Sequence, residues 1–149
     1  MDAKDDNPDE KLMNQINNHK AFANSPHEKL EQYENTSAVI STIIVNYNAG
    51  PLLRGCVESL LACPLDVEII VVDNASHDGS LDGLPESPHI RIIRNPANLG
   101  FAAACNIGVQ ASSAPFMLFL NPDCVVAPDA MPPLLAAMKS GDPVGMVGG

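Results

Sequence analysis

Runs of apolar residues alternate, along the second part of the chain, with segments in which apolar residues recur every three or four positions. Residues 38–45 are largely β-branched and apolar, which is the composition of a strand buried on both faces. Similar apolar runs predict three more strands, at residues 67–72, 90–93 and 116–120. Such runs are typical of the interior of a parallel sheet.

Helical patterns fill most of the intervals between these strands. After Pro51, which suits a first helical turn, apolar residues recur at helical spacing at Leu52, Leu53, Val57, Leu60 and Leu61. Residues 101–111 read as an Ala-rich helix, and residues 128–139 as another if Pro132 and Pro133 lie in its first turn. Strands that alternate with helices predict an α/β fold with a mainly parallel sheet and right-handed crossovers.

Polar segments follow three of the predicted strands, at residues 45–48, 73–80 and 121–123. In an open α/β sheet, ligands bind in the crevice outside the carboxyl ends of the strands, because loops from neighbouring strands converge there. The sequence therefore predicts that these segments contribute to one binding site.

Composition divides the chain and limits its partners. Residues 1–37 are mostly polar or charged, so we predict a disordered acidic leader ahead of a domain at residues 38–149. The 18 acidic residues against 8 Lys and Arg give a net charge of −10, which disfavours nucleic acid as a partner. The sequence has no apolar run of transmembrane length, and its 4 cysteines form no C-x-x-C pair. These features predict a reduced, cytoplasmic protein.

Four motifs occur in the order, and at the strand and loop positions, of a known enzyme family. They read NYN at residues 46–48, VVDNASHDGS at 71–80, NPANLGFAAACNIG at 95–108 and LFLNPD at 118–123. Together they resemble the nucleotide-sugar-binding half of family 2 glycosyltransferases, especially the rhamnosyltransferase-like branch. The resemblance covers about residues 39–149 and implies a Rossmann-like GT-A fold, with flanking helices on a mainly parallel sheet.

The resemblance also implies a reaction and its components. These are the inverting transfer of a sugar from a dTDP- or UDP-linked donor, a glycan or lipid-linked acceptor, and a divalent metal, Mg²⁺ or Mn²⁺. Oxygen ligands suit both metals, and a metal would stabilise the charge that develops on the leaving diphosphate. Because family members often act on lipid-linked acceptors in polysaccharide biosynthesis, we expect this chain in the cytoplasm, at the cytoplasmic face of the membrane.

Matched position by position, the resemblance assigns roles to individual residues. The residues that line the base and ribose are Val45, Asn46, Tyr47 and Asn48. Asp73 matches the carboxylate that hydrogen-bonds the pyrimidine ring, a role suited to a two-oxygen acceptor, and Asn74 and Ser76 shape its turn. Asn98 and Gly100 match the loop and helix start near the diphosphate and sugar, where helix N–H groups suit phosphate oxygens.

The last motif departs from the family at one position. Asp123 matches the last acid of the metal motif, but Asn121 stands where family members often carry another acid. Asp123 would therefore hold the metal together with phosphate oxygens of the donor, as Mg²⁺ sites commonly do. Asn121 is assigned to the nucleotide-sugar-binding residues instead.

Three alternatives stay open at this stage. The first is a truncated enzyme, because the sequence stops at Gly149, where relatives continue into the acceptor half, and we assign no general base. Such a fragment is expected to dimerise through uncovered apolar surface. A second hypothesis is a module that binds nucleotide sugar without transferring it. A third, a signalling receiver-like domain with Asp123 as phosphoacceptor, lacks the acidic pair that it needs after the first strand.

Several of the assigned polar residues also have a purely local explanation. Asp73 and Asp78 lie in a loop that contains Gly and Ser, where Asp often closes an Asx-turn. Residues 121–123 suit the start of a turn. Cys56 and Cys105 lie in apolar helical patterns and are expected to be small buried residues.

Overall fold

The computed structural model describes residues 38–139 and 145–148. The predicted leader at residues 1–37 lies outside the described residues, so its disorder and the domain boundary stay predictions. Within the described ranges, every helix is too short or too polar for a bilayer crossing.

One parallel sheet forms the centre of the described domain. Its strands are β1 (Ile40–Asn46), β2 (Val67–Asp73), β3 (Ile90–Arg94) and β4 (Phe116–Leu120). Their order across the sheet is β3-β2-β1-β4, and each neighbouring pair is parallel. The central position of β1 and β2 explains their continuous apolar sequences, because helices and loops cover both of their faces. The α/β parallel architecture predicted from the sequence is confirmed.

Three helices of the described domain flank this sheet: α1 (Leu52–Leu61), α2 (Phe101–Ala111) and α3 (Met131–Met138). The bounds of α2 agree with the prediction, whereas α3 begins later than residue 128 because residues 127–130 form a turn closed by a 3.0 Å backbone hydrogen bond. Pro132 and Pro133 then lie in the first turn of α3, where a missing N–H breaks no intrahelical hydrogen bond.

Alternate side chains of the central strands pack on opposite faces of the sheet. Ile44 is fully buried in the core that α1 covers, together with Leu53. Its neighbour Val45 belongs to the second core, where α2 contributes Ala104. The backbone of α2 lies directly on β1, since a Cβ at Gly108 would collide with the side chain of Ile43.

Strand pairing continues to the residues that were assigned to the site. Asn46 and Asp73 are paired in register as the last residues of β1 and β2, one residue beyond the predicted ends. The ladder extends further through the Asn74 N–H, which donates to the Asn46 carbonyl at 2.8 Å, and the Asn95 N–H, which donates to the Asp73 carbonyl at 2.8 Å. The positions of Asn46 and Asp73 are therefore fixed by the sheet.

A carboxylate stabilises the opposite, amino-terminal end of the sheet. Oε2 of Glu68 accepts hydrogen bonds from the Ser41 hydroxyl at 2.6 Å and from the Ser113 N–H and hydroxyl at 3.0 and 2.9 Å. Arg91 lies 3.6 Å from its other oxygen. Burial raises the pKa of Glu68, but the hydrogen bonds and the Arg91 charge lower it more, so that it lies below the ordinary value.

We expect Glu68→Gln to destabilise the domain by about 1.5–3 kcal/mol at neutral pH, the range for hydrogen bonds to a charged group. The pKa of Glu68 is lower in the folded than in the unfolded state. Its ionised form therefore stabilises the fold above the ordinary pKa of a glutamate, and that contribution is lost as the pH falls through the lowered pKa. Urea denaturation of both proteins between neutral and acidic pH measures the difference. A difference that stays constant down to the acid limit would contradict the assignment.

Candidate nucleotide-sugar site

The buried carboxylate of Asp73 lies at the carboxyl end of β2. Only 3% of Asp73 is exposed, and its Oδ1 accepts a 2.7 Å hydrogen bond from Nδ2 of Asn46. Its Oδ2 accepts the backbone N–H of Ser76, three residues further along the chain, at 3.2 Å, so Asp73 closes its loop locally but not as the two-residue Asx-turn that the sequence suggested. Both carboxylate oxygens are therefore oriented by protein donors. The lone pairs that these two hydrogen bonds leave free can accept an N–H of a ligand.

A single amide holds three oxygens of this site together. Nδ2 of Asn46 lies 2.7 Å from Asp73 Oδ1, 3.0 Å from Ser76 Oγ and 2.8 Å from Ser80 Oγ. Asn46 has no exposed surface. Its Oδ1 is buried as well and accepts no hydrogen bond from the part of the chain that the structure describes. Asn46 was assigned to the ligand-contacting residues, but its amide is used inside the protein.

The loops after β1 and β2 are joined to each other. The Asn48 N–H donates to Ser76 Oγ at 3.0 Å, and the His77 N–H donates to Asn48 Oδ1 at 2.9 Å. Asn48 and Ala75 have positive φ angles of 54° and 61°, a conformation that Asn tolerates better than Ala does. These contacts fix the outline of the crevice between the two strand ends.

Asp78 ties the loop after β2 to the start of α1. Its Oδ2 accepts the Gly50 N–H at 2.6 Å, and its Oδ1 accepts the Ser80 N–H at 3.0 Å. Hydrogen bonds from Ser80 and from the Gly50 N–H lower the pKa of this exposed carboxyl. The local structural explanation given for Asp78 thus agrees with its contacts.

Three asparagines hold the start of α2 at the same edge of the sheet. Nδ2 of Asn74 donates to the Gly100 carbonyl at 3.3 Å, and Asn95 Nδ2 donates to Asn74 Oδ1 at 2.8 Å. Gly100 precedes the helix with φ 83° and ψ 163°, a region that is essentially restricted to Gly, and its N–H donates to Asn98 Oδ1 at 2.9 Å. Asn74 and Asn98 thereby position the helix start, and the first N–H groups of α2 have no side-chain cap.

The turn after β4 exposes Asp123. The Cys124 N–H donates to the Asn121 carbonyl at 3.1 Å, which closes the predicted turn. Asn121 and Asp123 are exposed, and Cys124 Sγ lies 3.9 Å from Asp123 Oδ1. The Asp123 carboxylate is therefore accessible to a cation in solvent.

Side chains of α1 hold this turn on both sides of Asp123. The thiol of Cys56 donates to the Asn121 carbonyl at 3.6 Å, and the Val126 N–H donates to Ser59 Oγ at 3.0 Å. Cys56 is fully buried, as predicted, and burial together with the nearby Cys124 and Asp123 raises its pKa to about 12. Cys56 is consequently a thiol that fixes the turn rather than a nucleophile or a metal ligand.

The remaining assigned residues differ in accessibility. Tyr47 is 51% exposed, so its ring is available for contact with a ligand. The side chain of Val45 instead packs in the core covered by α2, which leaves its backbone as the part that can face a ligand.

Sequence reasoning missed two buried residues of the same edge, Ser80 and Asn95. Asn95 comes directly after β3, and polar residues of the site likewise lie at the ends of β1 and β2. This position at a strand end was the signal that could have identified Asn95. Ser80 closes the motif at residues 71–80, but its contact with Asn46 depends on the folded loop.

Asp123 fits a divalent metal only in combination with another source of oxygen ligands. Residues 38–139 and 145–148 contain no group of three or more His, Cys, Asp or Glu side chains that could hold an ion. One carboxylate completed by phosphate oxygens and water is a common arrangement for Mg²⁺. Asp123 would hold the ion and a bound diphosphate would complete the coordination, with the ion supplying charge stabilisation.

The spacing of the strand ends suits an extended nucleotide. β2, which carries Asp73, and β4, which leads to Asp123, lie on either side of β1. Their ends are separated by two interstrand spacings, roughly 10 Å. A ligand that contacts Asp73 and Asp123 together would therefore have to extend across the end of β1.

The chain resembles known proteins in both sequence and fold. Residues 41–149 match the model of the family described as glycosyl transferase family 2. The chain is 32% identical over 99 residues to YibD, an uncharacterised glycosyltransferase of Escherichia coli K12, and the match covers 63% of this chain and 28% of YibD. The chain thus spans less than a third of the length of that relative.

Two solved structures have the same fold as this domain. S. aureus TarS 1-349 in complex with UDP-GlcNAc superposes with a TM-score of 0.60 at 19% identity, covering 68% of this chain and 31% of TarS 1-349. The mannosyltransferase PcManGT from Pyrobaculum calidifontis, in complex with GDP-Man and Mn²⁺, superposes with a TM-score of 0.60 at 19% identity, covering 79% of this chain and 39% of PcManGT. The predicted GT-A fold is confirmed, and because the family model covers well over half of its residues, the chain belongs to glycosyltransferase family 2.

Proposed function

We propose that this chain carries the donor-binding part of an inverting glycosyltransferase of the rhamnosyltransferase-like branch. The donor would be a dTDP- or UDP-linked sugar, and the acceptor a glycan or a lipid-linked acceptor in polysaccharide biosynthesis. The observation that carries this proposal is the buried Asp73 carboxylate, oriented by Asn46 and Ser76 at the carboxyl edge of the sheet.

The base and the diphosphate of a nucleotide sugar each have matching groups at this edge. A carboxylate accepts the ring N–H of a pyrimidine, and the exposed ring of Tyr47 offers an apolar surface to the base. The uncapped N–H groups at the start of α2 suit diphosphate oxygens. Asp123 would hold Mg²⁺ or Mn²⁺ against the same diphosphate, and the ion would stabilise the charge of the leaving group.

The structural neighbours support a nucleotide-sugar donor but do not specify its base or its sugar. TarS was solved with UDP-GlcNAc and PcManGT with GDP-Man and Mn²⁺, so both structural neighbours bind nucleotide sugars. Our preference for a pyrimidine rests on the carboxylate, because a single acceptor pairs with the ring N–H of uracil or thymine. Guanine offers an N–H as well, so a guanosine nucleotide is the competitor that the test has to include.

A second candidate function is binding of nucleotide sugar without transfer. It is favoured by the contacts of Asp73, whose two oxygens both accept hydrogen bonds inside the protein, so that this carboxylate is poorly placed to take a proton from an acceptor hydroxyl. Asp123 is assigned to the metal. We therefore assign no general base within the described residues.

Titration calorimetry of the 149-residue chain with UDP, dTDP, GDP and ADP, with and without Mn²⁺, tests the proposal. We expect UDP and dTDP to bind more tightly than GDP and ADP. We also expect UDP and dTDP to reach their full affinity only in the presence of Mn²⁺. Equal affinity for all four nucleotides would contradict a base-reading role for Asp73. Release of UDP or dTDP from nucleotide sugars that depends on a lipid-linked acceptor would distinguish transfer from binding alone.

We further propose that the protein acts in the cytoplasm, at the cytoplasmic face of the membrane, and that it forms a homodimer. Support for the dimer comes from the edge strand β4, whose Met117 and Phe119 side chains are 39% and 50% exposed on one face. Sedimentation velocity of wild type and Phe119→Ser would test it.

A further inference from the structure

We propose that Asn46 is a positioning residue that acts through Asp73 and does not itself touch the ligand. Its amide would set the orientation of the carboxylate and the shape of the loop at residues 74–80, and thereby the affinity of the site for the base. This inference rests on the proposed function, in which Asp73 meets the base.

Burial is the first observation that supports this role. Asn46 is 0% exposed, whereas Tyr47, the next residue, is 51% exposed. A ligand in the crevice can therefore reach Tyr47 without reaching the Asn46 side chain. The influence of Asn46 on a ligand has to pass through the groups that its amide contacts.

The second observation is the number of hydrogen-bond acceptors around the Asn46 amide. Three oxygens, on Asp73, Ser76 and Ser80, lie between 2.7 and 3.0 Å from Nδ2 of Asn46, although an amide nitrogen carries only two hydrogens. Nδ2 of Asn46 is thus the donor that all three oxygens share, and the Ser76 N–H is a second donor, to the other oxygen of Asp73. The opposite amide orientation would place Oδ1 against the Asp73 carboxylate, so the contacts fix which end of the amide faces the cluster.

The third observation is that the cluster extends to both loops of the crevice. Ser76 donates its N–H to Asp73 Oδ2 and accepts the Asn48 N–H on its hydroxyl. Removal of the Asn46 amide would leave Asp73 Oδ1 and Ser76 Oγ without their common donor, and only the Ser76 N–H would still orient the carboxylate. A structural role alone would affect stability, whereas this role also affects base recognition.

The test uses Asn46→Ala and Asn46→Asp in the 149-residue chain. Asn46→Ala is expected to weaken UDP binding in the presence of Mn²⁺ by about 10- to 100-fold, the range for loss of a charge-assisted hydrogen bond. In the absence of ligand, the Ser76 and Asn48 N–H groups are expected to exchange with solvent about 10-fold faster or more, while the central strands keep their protection.

Asn46→Asp gives a pH-dependent readout that survives if Asn46→Ala fails to fold. Two carboxyl groups this close retain one shared proton to a higher pH than an isolated carboxyl, and that proton can replace the amide hydrogen. The ratio of the variant and wild-type dissociation constants for UDP is therefore expected to be within about 3-fold at pH 5 and to rise by about 10-fold or more by pH 8. Taking the ratio at each pH removes the titration of UDP itself.

Thr42→Val is the matched control. Thr42 is also fully buried on β1, and its hydroxyl has no hydrogen-bond partner among the described residues, so the substitution should change neither UDP affinity nor exchange at Ser76. A ratio for Asn46→Asp that stays constant from pH 5 to pH 8, or unchanged exchange and affinity in Asn46→Ala, would overturn the inference. A third outcome is that exchange at Ser76 is faster in Asn46→Ala while the wild type binds neither UDP nor dTDP. That outcome would support the positioning of the loop by Asn46 and overturn the proposed function.

Discussion

Replacing Asp123 by Ala is expected to lower the Mn²⁺-dependent affinity for UDP by about 100-fold, since the ion would lose its one carboxylate ligand. The fold should be unaffected, because Asp123 is exposed and the turn that carries it is closed by the backbone of Asn121 and Cys124. Calorimetric titration of UDP at a series of Mn²⁺ concentrations measures the effect. Metal and nucleotide must raise each other's affinity by the same factor in the wild type, and that factor should approach 1 in the variant.

Asp129→Ala is the control for this experiment. Asp129 is exposed in the segment that leads from β4 to α3, as Asp123 is, so it reports on a loss of general negative charge near the site. We expect its effect on Mn²⁺-dependent binding to be small, because solvent-exposed charges are weakly coupled and screened by salt. Wild-type affinity in Asp123→Ala, or equal losses in both variants, would remove Asp123 from the metal site.

Asp73→Asn is expected to weaken UDP binding by about 10- to 100-fold, because an amide presents N–H donors where the carboxylate accepted them. The same change should lower the melting temperature, since the new NH₂ group would replace one of the two buried carboxylate oxygens and face the donor of either Asn46 or Ser76. Calorimetry with two ligands separates these effects. Binding of inorganic pyrophosphate with Mn²⁺ should remain near the wild-type value, because pyrophosphate has no base for Asp73 to recognise.

The control variant is Asp66→Asn, at the opposite end of the same strand. Asp66 precedes β2 and lies 3.4 Å from Nδ1 of His89, remote from the carboxyl edge. We expect a modest loss of stability and no change in UDP affinity. If Asp73→Asn bound UDP as tightly as wild type, or lost pyrophosphate and UDP equally, the role of Asp73 in recognising the base would be wrong.

The strands and helices of the domain could be predicted from local patterns, because each type of element requires apolar residues at a characteristic spacing. Residues 101–111 and 116–120 were predicted with the bounds that the structure has. The errors lie at element ends, where local preference competes with tertiary pairing. β2 runs on to Asp73 because the neighbouring strand supplies partners for a polar residue that has no strand preference of its own.

Roles within the site were less predictable than its location. The resemblance grouped Val45, Asn46, Tyr47 and Asn48 as one binding segment, yet only the folded sheet shows that their side chains serve different purposes. Val45 packs in the core, Asn46 holds the Asp73 cluster and Tyr47 is exposed. Alternation along a strand sends neighbouring side chains to opposite faces, so which of them reaches the crevice depends on what covers each face.

Local patterns were sufficient to predict the α/β class, the order of the elements and the polar segments at three strand ends, because hydrophobic periodicity and motif order are local properties of the chain. The tertiary structure alone decided that β2, β1 and β4 are neighbours, that Asp73 is buried and Asp123 exposed, and that Asn46 joins residues up to 34 positions away. These features depend on which strands pair and on how loops distant in sequence pack together. No local pattern records such contacts, since the free energy that selects them comes from the burial and hydrogen bonding of the whole domain.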